Sequence, residues 1–171
     1  MSQTKSAMNA NAFVLVIAFF VSVLMLTVSG SAAPGQDATW TRDETPIRDQ
    51  INHLRSLPDD VRARTTKQLA LDIRRLPKTA HKLSLANGLA NLSTEGDFGH
   101  DTLQEVATTL ADALREQPLP MNGTEPAFPY LELATLARYE HVQASVDNPQ
   151  YAAAIAKLEA DDRPGRRLTS L

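Results

Sequence analysis

The densest group of side chains able to do chemistry lies in the stretch STEGDFGHD, residues 93–101, where Glu95, Asp97, His100 and Asp101 crowd together. Imidazole and carboxylate donors suit a divalent metal, and Asp97 with His100 has a usable spacing at a helix start. Such a centre needs further ligands, and the remaining histidines, His53, His81 and His141, are each isolated in sequence. Turn formation and helix capping account for the same four residues with no ligand. Asp97 and His100 therefore stand as candidates for a metal, and neither a metal nor any other cofactor is assigned. Residues 95–99, EGDFG, lack the alternating oxygen ligands and terminal Glu of a calcium loop. The chain has no GxSxG, HExxH, phosphate loop or dinucleotide fingerprint, so no catalytic residue is assigned either.

Absent residue types narrow the chemistry further. The 171 residues contain no cysteine. Disulfides, thiolate metal sites, thiol–disulfide exchange and a cysteine-linked lipid anchor are thereby excluded. The formal charge is -3, with Lys and Arg dispersed, so the basic stripe of a nucleic-acid binder is missing. Hydrophobic residues make up 43% of the chain, enough for a core, and aromatics only 5%. Apolar material drawn mostly from Ala and Leu favours helix over sheet.

The element that would hold the polar turn in place is the stretch 101–117, DTLQEVATTLADALREQ. Leu103, Val106, Ala107, Leu110, Ala111 and Leu114 form an unbroken stripe on a 3.6-residue period. Asp101 is expected as N-cap, with Gln104 returning its hydrogen bond, and Pro118 ends the helix. Five more helices are expected around it. Residues 46–57 begin with Thr45 as cap and Pro46 at the first position, and carry Ile47, Ile51 and Leu54 inward. Residues 59–76 turn Val61, Thr65, Leu69, Ile73 and Leu76 to one face. Their five basic residues are spread around the helix, as on a solvated surface. Residues 79–92 bury Leu83, Ala86, Leu89 and Ala90. Residues 130–146 follow Pro129 at the first helical position, and residues 149–161 follow the Asn148 cap with Pro149 in the same role. Sustained period-two alternation is nowhere present. The fold class is all-α: about six amphipathic helices in antiparallel pairs, as a helical bundle or a short α-solenoid-like stack.

Gly88 costs roughly 1 kcal/mol of helix propensity relative to Ala. Flanked by Ala86 and Ala90, it is expected to mark the closest helix–helix approach, opposite Val106 and Ala107. Trp40, the only tryptophan, is expected to pack over the edge of the first helix pair.

Ala10 to Val28 is almost wholly apolar, follows a segment carrying Lys5, and exits through Ser29, Gly30, Ser31, Ala32 and Ala33. That arrangement predicts a signal peptide over 1–33, with a retained single-span anchor as the alternative. Either places the remainder outside the cytoplasm, periplasmic or secreted. Residues 34–44 read as a flexible lead-in, 45–162 as the helical domain, and 163–171 as a disordered tail.

Two stretches, Leu85–Gln117 and Tyr130–Asp161, resemble the helical region ahead of the thioredoxin-like domain in exported bacterial TlpA-like redoxin proteins. That family's activity rests on a CxxC motif, which this cysteine-free chain lacks, so no functional residue carries over. The resemblance implies a helical accessory part, with another envelope protein or a redoxin-type protein as partner. Nucleic acid is not expected as a partner, and a membrane only if the N-terminal segment is retained. The function expected is a non-catalytic exported scaffold or protein-interaction module; the alternative is a small metal-dependent or hydrolytic enzyme of unrecognised type.

Overall fold

The computed structural model describes residues 39–121 and 123–162. The signal-peptide or anchor segment, the first part of the lead-in and the 163–171 tail lie outside the described residues. Among those described there is no β-strand and no helix long and apolar enough to cross a membrane. The helices are α1 (Glu44–His53), α2 (Asp59–Arg75), α3 (Lys82–Ser93), α4 (His100–Glu116), α5 (Phe128–Tyr139) and α6 (Pro149–Asp161), with a 3-10 turn (Leu54–Ser56) after α1.

Each helix is in backbone contact with its neighbours one or two places along the chain and with none further away. α4 packs on α2, α3 and α5; α3 also meets α1 and α5; α6 packs, among the helices, on α5 alone. That is the contact order of a short stack. Among α1–α4 the sequential pattern follows from short turns, which leave each new helix no choice but to lie against the one before it.

The core runs along α4. Leu103, Val106, Ala107, Leu110, Ala111 and Leu114 are all buried, facing Leu69, Ala70 and Ile73 of α2 and Leu83, Ala86, Leu89 and Ala90 of α3 as one cluster. Polar ties reinforce this contact. The Thr109 hydroxyl donates to the Ala70 carbonyl at 3.1 Å, and Arg74 pairs with Glu105.

Several expectations are corrected. α1 is opened by Thr41 and Glu44: Thr41 N–H donates to Glu44 Oε2 at 2.8 Å, and Glu44 N–H donates to the Thr41 hydroxyl at 3.2 Å. This reciprocal box displaces the Thr45 cap, and Pro46 is tolerated because N–H groups of the first turn have no helical partner to lose. The lead-in is thus fixed by residue 41. At α4, Gly99, with φ +74, is the residue before the helix, and Asp101 is exposed within the first turn. α3 starts at Lys82, three residues later than expected. α5 stops at Tyr139, and residues 140–148 are not helical. Gly88 is not at a close approach: a Cβ placed on it meets no heavy atom within 4 Å. Instead it lines an open cleft with Trp40, Arg48, Ile51, Asn52, Ser84 and Leu85. Pro129 falls within the first two positions of α5, Pro149 opens α6, and the Asn148 side chain accepts from Gln150 N–H, as expected.

Candidate functional site

The turn that carries Asp97 and His100 is held together by local bonds. Asp97 Oδ1 accepts the Gly99 N–H at 3.1 Å, which fixes the left-handed glycine ahead of α4. Glu95 is taken by Arg55, and that guanidinium holds its carboxyl below the usual range. His100 is exposed, with Asp101 at 4.0 Å. Phe98 is buried beneath the turn, under the Arg62 guanidinium at 5.6 Å. Among the described residues no group of three or more His, Asp or Glu side chains is placed to hold a metal ion. The candidates Asp97 and His100 are not brought together with His53, His81 or His141.

A different titratable cluster, invisible as a motif, forms where the lead-in and α1 meet the start of α3. Glu44 is fully buried, and its Oε2 lies 3.3 Å from His81 Nδ1. Trp40 stacks on the His81 ring with centroids 3.9 Å apart and planes 15° from parallel, and the Arg48 guanidinium sits 5.2 Å from the Trp40 ring centre. Burial works against the charge on Glu44, but the nearby Thr79 hydroxyl and the hydrogen bonds with Thr41 and His81 outweigh it and bring its pKa from 4.5 to about 2. Thr79 acts here outside strict hydrogen-bond geometry, for its hydroxyl and Glu44 Oε1 both lack a close partner. A histidine oriented by a buried carboxylate is half of a nucleophile-activating array. The other half is missing among the described residues, since no side-chain hydroxyl bonds this ring and Ser84 is exposed one turn along. The cluster is a joint between α1 and α3.

Lys82 makes a second buried joint. Its Nζ donates to the carbonyls of Arg74 at 3.3 Å and Leu76 at 2.9 Å, and to Glu116 Oε1 at 3.0 Å. A cation is thereby set against the last carbonyls of α2 while it holds the end of α4. All three ammonium protons are used, leaving none for chemistry.

The C-terminal part differs. Between α5 and α6, residues 142–147 pass over α4 without helical structure. Gln104 Nε2 donates to the Gln143 carbonyl at 2.8 Å, while Gln143 N–H donates to Gln104 Oε1 at 2.8 Å. Arg115 Nη2 donates to the Ser145 carbonyl at 2.7 Å, and the Tyr151 hydroxyl to that of Ala144 at 2.8 Å. His141, at the exit from α5, has φ +56, a left-handed conformation costing an ordinary residue roughly 1–2 kcal/mol. α5 also leaves two aromatic rings about half exposed: Phe128 at 52% and Tyr139 at 48%, the Tyr139 hydroxyl donating to the Asp162 carboxylate, with half-buried Leu131 and Thr135 between them on the same face. Glu132, buried on the adjoining face with one oxygen unpartnered, has its pKa raised by burial.

No protein-family model, curated protein or solved structure matches the chain.

Proposed function

We propose that the chain is a non-catalytic, exported interaction module whose docking face is the α5 stripe of Phe128, Leu131, Thr135 and Tyr139. The observation that carries this is the exposure of two large aromatics three helical turns apart on one face. Large apolar rings left in water at this spacing match a partner's amphipathic helix laid along α5. The polar groups, by contrast, are spent on joints and turns, and the absence of cysteine excludes thiol–disulfide exchange. The partner we favour is another envelope protein, a redoxin-type protein among them, because of the resemblance of residues 85–117 and 130–161 to redoxin-associated helical regions. Export rests on the apolar stretch 10–28 and its small-residue exit.

Site-specific photocrosslinking in the native envelope tests the docking face. A photoreactive residue at position 128 or 139 should give a discrete adduct, and one at exposed Arg64 of α2 should not. Phe128→Lys should abolish the adduct formed from position 139 while leaving the melting curve unchanged. Adducts of equal yield from Arg64, or none from α5, would overturn the assignment. Mass spectrometry of the envelope protein should find residues 1–32 or 1–33 removed.

A further inference from the structure

The strap formed by residues 141–147 is held on α4 mainly by its backbone. Gln104 engages both main-chain groups of Gln143, and Arg115 takes the carbonyl of Ser145. Val142 and Val146 are buried and Ala144 half-buried, on the alternate positions an extended chain turns to one side. The fit is loose. Clefts of about 360 and 350 Å³ flank the strap, the first lined by Thr108, Ala111 and Arg115, the second by Leu114, Arg115 and Pro118.

A clamp that reads main-chain groups accepts an extended segment whichever molecule supplies it. The segment it is seen to fit is this chain's own, so a second copy is the partner certain to carry a matching strand. The strap and α6 are also separable from the stack. Among the helices α6 rests on α5 alone, and the Tyr151–Ala144 bond lies within the strap-and-α6 unit and travels with it. The hinge is marked by His141, whose left-handed backbone is required to fold the strap back onto α4 of the same copy.

We infer that the strap and α6 exchange between two copies of the chain. In the pair His141 relaxes to extended backbone, each strap lies under Gln104 and Arg115 of the other copy, and each α6 packs on the other copy's α5. The bonds Gln150 makes to Ala127 N–H and the Leu119 carbonyl re-form across the pair. The two-fold relation closes the assembly at two copies. Exchange between copies does not depend on an outside partner for the α5 stripe, and its test uses the purified chain alone.

The cysteine-free sequence makes that test clean. Full-length Thr108→Cys and Ala144→Cys variants, whose sites line one cleft, are mixed in mild detergent and oxidised. Neither can form an intramolecular disulfide. Exchange predicts a heterodisulfide dimer, in yield above that of a control mixture of Thr108→Cys with Ser84→Cys. Adding His141→Val to both copies should raise the yield about tenfold, because a β-branched residue tolerates positive φ poorly. His141→Gly should lower it severalfold, because glycine takes the closed conformation without strain. A heterodimer yield at the level of the control, or one that ignores residue 141, would falsify the exchange.

Discussion

α4 and α6 are written in the same vocabulary, Ala and Leu on one face and charges on the other, yet they stand very differently in the molecule. α4 buries nine residues between α2, α3 and α5, whereas α6 buries only Gln150 and Ala154, against α5. The stripe makes a helix amphipathic; the number of neighbours decides what the stripe is worth. In a stack where each helix meets only those one or two places away, the last one has half a set of partners. Stability is therefore concentrated in α1–α5, and the strap and α6 form the edge most easily opened.

Truncation in the two helices measures this contrast most sharply. Leu110→Ala, at a fully buried position of α4, should cost about 2–5 kcal/mol in urea melts, while Leu158→Ala in α6 should cost about 1 kcal/mol or less. Equal losses would mean that α6 is as integral as α4.

The polar joint of the tightly packed half comes next. Glu44→Ala should destabilise by about 2–4 kcal/mol, since it removes the α1 box and leaves His81 without its carboxylate. Acid should act through the same group. The pKa of Glu44 is depressed in the folded state, so its contribution is complete above about pH 4.5 and is lost as pH falls from there towards 2. The stability gap between the wild type and Glu44→Gln should accordingly narrow over that window. A gap that stays constant down to pH 2 would show that the joint does not depend on the charge.

On the open half, Gln104→Ala should cost about 1 kcal/mol and act locally. Hydrogen exchange should speed up at Gln143 and its neighbours, with the amides of α2 and α3 unaffected. The smallest effect belongs to Gly88. Because a Cβ there meets nothing, Gly88→Ala should stabilise by about 0.5–1 kcal/mol, the propensity gain uncancelled by crowding. A loss of stability would show that the cleft beside Trp40 closes in solution.

Much of this architecture is legible in the sequence, and the exceptions have physical reasons. The stripe predicts α4 over 101–117, and the helix runs His100–Glu116, within one residue at each end, because the stripe is long and Pro118 stops it. The end of α5 is not legible. Val142 and Val146 are four apart, a spacing that suits a helix face and an extended chain equally, and only Gln104 and Arg115 on α4 select the second. The Thr41-x-x-Glu44 box is written plainly in the sequence but competes with Thr45–Pro46, and the buried pairing of Glu44 with His81 is what tips the balance. The ionisable partners of Glu44 and Lys82, His81 and Glu116, are distant in sequence and brought near only by the fold, so neither buried charge could be paired from spacing. Asp97 and His100 are legible in the sequence as members of a dense polar turn. Their role is fixed by Gly99, whose positive φ needs the bond from its own N–H to Asp97. Gly88 invited a packing explanation because close approach is the commonest cause of a costly helical glycine; here the space beside it is open.

The clamp on the strap also determines where sequence variation can accumulate. Gln104 and Arg115 bind main-chain atoms, so the side chains of Gln143 and Ser145, both exposed, are free to drift through generations of substitutions. Selection falls instead on the clamp residues and on the two buried valines. Proline at 143 is refused on different grounds, because the N–H it lacks is the one Gln104 accepts. Lineages carrying this strap should therefore look hypervariable at residues 143 and 145 while keeping the same path of backbone across α4.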